Sequence, residues 1–166
     1  MSPQRVAAAS YRPAVDADRA AMRGLAEHDL AGTPYSVAVE YFIRLASEGA
    51  ENESRAIVAE CDGEVLGFAL FGEVAGAIGT GRMQFVSVTA SARLHGIGVG
   101  LCEAAVADLV SKGARLVVAE IPDDPLLSPG VALLARCGFA ETARVTDYFR
   151  DGTDLVVLLR DVHRAI

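Results

Sequence analysis

Glycines at alternate positions in the middle of the chain have the spacing of a phosphate-binding turn. The segment Arg93-Leu94-His95-Gly96-Ile97-Gly98-Val99-Gly100 follows a strand-like run, Met83–Val88, and precedes a run with one apolar helical face, residues 101–110. The first N–H groups of a helix lack intrahelical partners and lie at the positive end of its dipole. Glycine has no Cβ to keep an anion away from those amides. We therefore predict that this segment, called the glycine loop (residues 93–100), binds a phosphate.

The spacing within the glycine loop argues against two common nucleotide motifs. Leu101 stands where a dinucleotide-binding G-x-G-x-x-G would need its third glycine, and no G-x-x-x-x-G-K-[ST] string occurs in the chain. The pattern that does match is [Q/R]-x-x-G-x-[G/A], from Arg93 to Gly98. An ordinary strand-to-helix turn is the alternative interpretation of so short a pattern, so the rest of the chain must supply the context.

The composition is that of a single acidic domain. With 166 residues, of which 52% are apolar, the chain is long enough to bury one core. The formal net charge is −7 and no Lys or Arg cluster occurs, which argues against nucleic-acid or membrane-surface binding. No apolar run reaches the roughly 18 residues of a membrane span. We expect a loose tail over residues 1–9, one domain over residues 10–166, and a cytoplasmic location.

The cysteines and histidines show no metal-ligand spacing. The cysteines lie far apart in apolar surroundings and are Cys61, Cys102 and Cys137. This pattern predicts reduced thiols in the core, and the isolated histidines complete no ligand cluster, so no metal is predicted. Ser87 lacks a G-x-S-x-G frame, which leaves hydrolase chemistry unsupported.

Hydrophobic periodicity and turn residues predict the element order β-α-α-β-β-β-α-β-α-β-β. The predicted fold class is α/β, an α+β mixed sheet flanked by helices. Helices are predicted over residues 17–30, 36–48, 101–110 and 129–137. Strands are predicted over residues 10–15, 54–61, 64–71, 83–88, 114–121, 140–145 and 154–160. The strand that ends at Val88, the helix after it and the strand from Ala114 form a β-α-β unit, which implies parallel pairing.

Taken together, the glycine loop and this element order resemble the GNAT superfamily of N-acetyltransferases. The late helix ending in Gly138-Phe139 is similar to the family's last helix, and the Asp147-Tyr148-Phe149 hairpin is similar to its terminal strands. The resemblance extends from about Tyr11 to Val162. A doubly wound nucleotide domain would not begin β-α-α and continue with three strands in a row.

The resemblance implies that acetyl-CoA is the cosubstrate. Amides of the glycine loop would hold its pyrophosphate, and Arg93 would brace the loop or neutralise phosphate. The pantetheine arm would lie where the strand parts from its neighbour, around Ser87 and Val88. The N–H of Val88 would donate to the thioester carbonyl as an amine attacks. The implied cofactor-binding residues are Val86, Ser87, Val88, Arg93, Leu94, His95, Gly96, Ile97, Gly98, Val99 and Gly100.

The catalytic acid and base are not the residues that the family usually carries. Many members have a tyrosine acid four residues before the Gly-Phe pair, where this chain has Leu134. Tyr148 is the candidate replacement, with packing in the hairpin as the alternative. The family's strand glutamate is also missing, so Glu73 and Glu120 are the candidate bases, acting directly or through water. Each is equally interpreted as a structural or solvated carboxylate.

The acceptor is expected to be a primary amine, on a small molecule or a peptide, that attacks acetyl-CoA directly. Residues 30–42 and 144–151 would select it, and the acidic composition favours a cationic acceptor that Asp123 and Asp124 would attract. A non-catalytic acyl-CoA-binding or regulatory module is the alternative that Leu134 favours. Binding of another nucleotide by the glycine loop is a third possibility. A homodimer formed through the terminal strands is expected for this fold.

Overall fold

A computed structural model of the protein describes residues 9–50 and 52–163. Seven strands within these residues form one mixed sheet in the order β1-β2-β3-β4-β5-β7-β6. They are β1 Ser10–Pro13, β2 Arg55–Cys61, β3 Glu64–Glu73, β4 Thr80–Val88, β5 Leu116–Pro122, β6 Ala140–Arg150 and β7 Thr153–Asp161. The α-helices are α1 Arg19–Leu30, α2 Ser36–Ser47, α3 Ile97–Ser111 and α4 Ser128–Arg136. The predicted fold class and element order are confirmed.

Several boundaries differ from the sequence prediction because pairing and backbone geometry extend the elements. β4 begins at Thr80, three residues before the predicted start, since it pairs with β3 as far as Gly81 and with β5 from Thr80. α3 begins at Ile97 because Gly96, with φ of 85°, serves as its N-cap. Of the predicted tail, residues 1–8 lie outside the described residues, and Ala9 packs against the core.

Each face of the sheet is covered by a different pair of helices. α3 and α4 bury the first core against one face, through residues such as Leu101, Val106 and Leu134. α1 and α2 bury the second core against the other face, through residues such as Leu30 and Ile43. All three cysteines are buried in the first core, as predicted. The sheet therefore separates the first core from the second core.

β4 and β5 run parallel, as the β-α-β prediction requires, but they pair over only four positions. The last residues paired between them are Met83 and Ala119, after which the two strands continue without pairing to each other. A β-bulge precedes the separation, because Leu70 of β3 pairs with Phe85 while Phe71 pairs with Met83, leaving Gln84 as the extra residue. The strands thus part at Gln84, earlier than the sequence prediction of Ser87 and Val88.

The end of the sheet opposite β1 is an uncovered edge. Every residue of β6 is exposed, including Val145, Tyr148 and Phe149. Dimerisation through the terminal strands stays a prediction. Across residues 9–50 and 52–163, no helix combines the length and the apolar character that crossing a bilayer requires.

Candidate active site

A cavity of about 640 Å³ lies at the gap between β4 and β5 and is lined by residues from both faces of the sheet. On the first-core face it is lined by the glycine loop and by α3 and α4. On the second-core face it is lined by α1, α2, the residues before α4 and the end of β6. The walls of the gap are residues 83–88 of β4 and residues 119–122 of β5. Ligands that enter from opposite faces would therefore meet between the two strands.

The glycine loop presents unpaired amides at the first-core end of this cavity. The first helical backbone bond of α3 runs from the N–H of Gly100 to the carbonyl of Gly96, at 2.9 Å. The preceding amides, those of residues 97–99, have no partner four residues earlier and lie at the positive end of the α3 dipole. Gly96 and Gly98 line the cavity, and Arg136 of α4 adds a positive charge to its wall. This end can accept an anion such as a pyrophosphate.

Packing, as well as anion binding, accounts for two of the three glycines. A Cβ at Gly98 would lie 3.0 Å from Leu133 of α4, and a Cβ at Gly100 would overlap the ring of Tyr11 on β1. Gly100 does not line the cavity. A Cβ at Gly96 would meet open space, so packing does not require this glycine. Its left-handed backbone conformation does, because residues with a Cβ rarely adopt it.

Arg93 is fixed by contacts within the protein and braces the glycine loop, one of the two roles expected for it. Its Nε donates to the Val88 carbonyl at 2.9 Å, and its Nη2 donates to Oδ1 of Asp29 at 2.6 Å. The other carboxylate oxygen of Asp29 accepts from the buried Ser87 hydroxyl at 2.6 Å. Asp29, at the end of α1, therefore ties β4 and the glycine loop to the helix across the gap. No sequence motif marks this residue.

The unpaired edge of β4 directs two backbone donors into the gap. The Thr89 N–H donates to the Leu66 carbonyl at 2.8 Å, so by the antiparallel alternation Ser87 also pairs with β3. Val86 and Val88 then direct their N–H and carbonyl groups towards β5, which has already separated. The Val88 carbonyl accepts from Arg93. The Val86 and Val88 amides can therefore bind an extended ligand as an added strand would.

The two candidate bases occupy different surroundings. Glu120 lines the cavity one residue beyond the end of β4–β5 pairing, and its side chain is 3.4 Å from Nη2 of Arg82. Its neighbours Ala119 and Ile121 belong to the first core, so Glu120 faces the second-core side of the sheet. Glu73 does not line the cavity and is bonded to Arg55 at 3.0 Å.

The candidate acid Tyr148 lies outside the cavity. Its side chain is 60% exposed and packs edge-on against Phe149. Tyr35, which the sequence analysis did not single out, does line the cavity and donates its hydroxyl to Oδ2 of Asp124 at 2.9 Å. Burial and this hydrogen bond raise the pKa of Tyr35. Leu134 also lines the cavity, so an apolar side chain occupies the expected tyrosine position.

Asp123 and Asp124 are each paired with an arginine of the terminal hairpin. Asp123 is bonded to Arg144, and Oδ2 of Asp124 is 3.0 Å from Arg150. The Leu126 N–H and the Tyr35 hydroxyl, assisted by Arg150, hold the pKa of Asp124 below its usual range. These carboxylates hold the hairpin against the loop before α4, and neither of them lines the cavity.

The cavity brings together most, though not all, of the predicted site residues. Those that line it are Val86, Ser87, Val88, Arg93, Leu94, Gly96, Gly98, Val99 and Glu120. Those that do not are Glu73, His95, Ile97, Gly100 and Tyr148. Ile97 is buried beneath the loop, and the exposed His95 lies with Nδ1 2.7 Å from the carbonyl oxygen of Arg93. In the part of the chain that the structure describes, no three His, Cys, Asp or Glu side chains are arranged to hold a metal.

Comparison with known proteins identifies the family. The profile of the acetyltransferase (GNAT) family matches residues 22–139, more than half of the chain. This chain therefore belongs to the acetyltransferase (GNAT) family. No curated protein matches the chain.

Solved structures with the same fold cover nearly the whole chain. A GNAT-family protein from Desulfovibrio desulfuricans superposes with a TM-score of 0.82 at 23% identity, covering 93% of this chain and 99% of that one. A Salmonella typhimurium protein, solved with its cofactor acetyl-CoA, superposes with a TM-score of 0.75 at 22% identity, covering 93% of this chain and 94% of that one. A ribosomal-protein-alanine N-acetyltransferase from Brucella melitensis gives 0.75 at 21% identity, covering 92% and 99%. At these identities the likeness establishes the fold.

Proposed function

We propose that this protein is an N-acetyltransferase that transfers the acetyl group of acetyl-CoA directly to a primary amine. The observation that carries the proposal is the cavity through the sheet. An anion-binding loop lies at one end, a second compartment lies at the other, and unpaired strand amides line the gap between them. Two substrates held at such a junction react with much of their positional entropy already lost, which lowers the barrier by several kcal/mol.

Acetyl-CoA would enter from the first-core face. Its pyrophosphate would bind the amides at the start of α3, within reach of Arg136. Its pantetheine arm would extend along the open edge of β4. The residues proposed to contact it are Val86, Ser87, Val88, Leu94, Gly96, Gly98 and Val99, with Arg93 bracing the loop. The fold neighbour solved with its cofactor acetyl-CoA supports this choice of ligand.

Starting from the ammonium form of the acceptor, nitrogen must lose two protons, one before and one after it attacks, and the sulfur must gain one. Glu120 takes a proton from the ammonium form of the acceptor, directly or through water, and frees the nitrogen lone pair. The nitrogen attacks the thioester carbon, and the Val88 N–H donates to the oxyanion. The C–S bond then breaks as the amide forms. The thiolate leaves and is protonated by water or by the second proton that nitrogen releases. Tyr148, the candidate side-chain acid, lies outside the cavity and would have to act through water.

The second candidate function is a non-catalytic acyl-CoA-binding module of the same fold. One observation favours it, namely that Leu134 brings no hydroxyl into the cavity at the position where family members often have a tyrosine. Turnover separates the two functions, because both bind acetyl-CoA but only the enzyme releases CoA.

Ligand-induced thermal stabilisation tests the proposal first. Acetyl-CoA, CoA, ATP and NAD are titrated side by side, since a ligand that binds the folded state adds about 2.7 kcal/mol at a hundredfold excess over Kd. We expect the CoA compounds to raise the melting temperature and ATP and NAD not to do so. A thiol-release assay with an amine panel follows. Equal stabilisation by ATP would remove the acetyl-CoA assignment, and CoA release no faster than in buffer would favour the non-catalytic module.

The choice of Glu120 as base is tested by a pair of isosteric variants. Glu120→Gln should lower kcat/KM by at least about a hundredfold, the lower end of what general-base catalysis contributes. Glu73→Gln should have a much smaller effect, because Glu73 lies outside the cavity beside Arg55. Steady-state thiol release measures both. A larger loss in Glu73→Gln would transfer the role of base to Glu73.

A further inference from the structure

We propose that the acceptor is a primary amine attached to an apolar group, aliphatic or aromatic, and not a polyamine or another polycation. This inference rests on the proposed function and names the substrate class of the same site. Its basis is the second-core end of the cavity, called the acceptor end. This end is defined by Leu30, Pro34, Tyr35, Ala38, Val39, Phe42, Phe85, Leu126, Leu127, Phe149 and Arg150.

The acceptor end is apolar and rich in aromatic rings. Phe42, Phe85 and Phe149 are three of the six phenylalanines in the chain, and all three line this one wall together with Tyr35. Tyr35 and Phe149 meet edge to face with their ring centroids 6.0 Å apart. These rings are partly or fully accessible in the absence of a ligand, so an apolar group that covers them removes further apolar surface from water.

The polar groups of the acceptor end already have partners. The Tyr35 hydroxyl and Arg150 Nη2 both bind Oδ2 of Asp124, and Arg150 Nε donates to the Thr153 hydroxyl at 3.0 Å. Arg150 also brings a positive charge to this wall. A second ammonium group on the acceptor would therefore meet the positive charge of Arg150, and the one carboxylate in contact with this end, Asp124, is already bound by Arg150 and Tyr35.

Two carboxylates line the rest of the cavity, and neither offers a binding site for a second cation. Asp29 is held by Arg93 and Ser87, and Glu120 lies beside Arg82. Glu120 can serve one ammonium group, the one that reacts. The net charge of −7 suggested a cationic acceptor from composition alone, but of the two cavity carboxylates one is held by Arg93 and Ser87 and the other is assigned to the reacting ammonium.

The apolar acceptor end is separate from the place proposed for acetyl-CoA. The pyrophosphate site and the side chains of Val86, Val88 and Leu133 belong to the first-core face, whereas Tyr35, Phe42 and Phe85 pack with the second core. A pantetheine arm that follows the edge of β4 leaves this second compartment open for the acceptor.

Competing acceptors test the proposal. We expect 2-phenylethylamine and isoamylamine to have kcat/KM values at least about tenfold above those of ethanolamine and putrescine, as apolar contacts in a pocket discriminate. In a second set of assays, kcat/KM is measured for peptides that begin with Leu or Ser. Comparison with the small amines shows whether the acceptor is a small amine or a peptide N-terminus. Turnover that is equal or faster with putrescine or ethanolamine would overturn the inference and leave the proposed function intact.

Failure of the proposed function would give a different pattern. In that case acetyl-CoA stabilises the protein but no amine is acetylated. Binding of 2-phenylethylamine to the CoA-loaded protein is then read from the ring signals of Tyr35 and Phe42 by NMR. Shifts of these signals that putrescine does not cause would support the acceptor class, and their absence would overturn it.

Two neighbouring positions on α2 provide a matched pair of variants. Ala38 is exposed and lines the acceptor end, whereas Val37 is 74% exposed and does not line the cavity. Ala38→Asp should lower kcat/KM for 2-phenylethylamine about tenfold and improve putrescine relative to it, because it adds a carboxylate to the apolar wall. Val37→Asp should change kcat/KM for 2-phenylethylamine and for putrescine by less than about twofold. Equal effects of the two variants would overturn the proposal, and acetyl-CoA-induced stabilisation verifies that both are folded.

Discussion

Asp29 is the single side chain on which the geometry of the glycine loop depends most directly. It accepts hydrogen bonds from Ser87 in β4 and from Arg93 in the loop, each at 2.6 Å, and its side chain is only 21% exposed. Arg93 in turn holds the Val88 carbonyl, the backbone unit proposed to face the thioester. In the proposed function Asp29 would therefore be a positioning residue, which acts on the cofactor through its neighbours.

Neutralising Asp29 should weaken acetyl-CoA binding more than it slows the chemical step. Asp29→Asn keeps the size of the side chain but removes the charge that holds Arg93, and hydrogen bonds to charged groups contribute roughly 1.5–3 kcal/mol. We expect the KM and Kd for acetyl-CoA to rise about tenfold with kcat changed less than about threefold.

The control for this variant is Glu27→Gln, a neutralisation on the same helix at an exposed position that does not line the cavity. Calorimetric titration gives Kd, and steady-state kinetics separates KM from kcat. A fall in kcat at unchanged KM would contradict a positioning role and place Asp29 in the chemical step.

At the scale of elements, the separation of β4 from β5 creates the proposed cofactor slot. β4 remains fully paired with β3 along the other edge, so the slot has one rigid wall. The bulge at Gln84 coincides with the point of separation. Because a bulge increases local twist and interrupts pairing, it provides a physical reason why the strands part there.

Hydrogen exchange of the β4 amides tests this arrangement. Ser87 pairs with β3, so its amide should exchange slowly with or without ligand. The Val86 and Val88 amides face the gap and should exchange fast in the free protein, then slow by at least about tenfold when CoA is bound. NMR-detected exchange resolves the individual amides. Slow exchange at Val86 and Val88 without ligand would show that the gap is closed in solution.

At the scale of the whole molecule, a partly buried ion pair attaches the edge of the sheet to the segment just before α1. Asp18 is buried and accepts two hydrogen bonds from Arg12 of β1, at 2.7 and 3.0 Å, and a third from the Val15 N–H. Arg12 also bonds Glu60 of β2. These contacts, led by the Arg12 hydrogen bond, hold the pKa of Asp18 below its usual value.

The lowered pKa of Asp18 predicts a pH-dependent contribution to stability. The stabilisation is complete above the unfolded pKa of about 3.9 and is lost as the pH falls through the lower folded pKa. At pH 7, Asp18→Asn should cost about 2 kcal/mol, or about 4–8 °C in Tm.

Thermal melts of wild type and variant from pH 7 to pH 2 provide the measurement. The difference in Tm should shrink below about pH 4 as the wild-type carboxylate is protonated. Asp16→Asn is the matched control, because that side chain is 93% exposed and should have little effect. A pH-independent difference would show that Asp18 stabilises through packing and not through its charge.

The parts of the site that the sequence predicted are those whose determinants lie close together along the chain. The glycine loop, the helix after it and the parallel strand beyond are encoded within residues 80–122. Their patterns were sufficient for the glycine turn before α3 and for the parallel pairing of β4 and β5, both of which the structure confirms. Anion binding by that turn stays a prediction. The family resemblance then extended this local information to the whole fold.

The sequence by itself therefore determined the family fold and the glycine turn before α3, since local periodicity and glycine spacing specify them. Only the tertiary structure decided which carboxylate enters the cavity. Glu73 and Glu120 look alike in sequence, but strand register places Glu120 at the open gap and Glu73 beside Arg55. Asp29 and Ser87 are 58 residues apart, and Tyr35 and Asp124 are 89 apart, so no local pattern relates them. Contacts at such separations follow from how the helices pack across the sheet, and that packing sets both the loop brace and the apolar acceptor end.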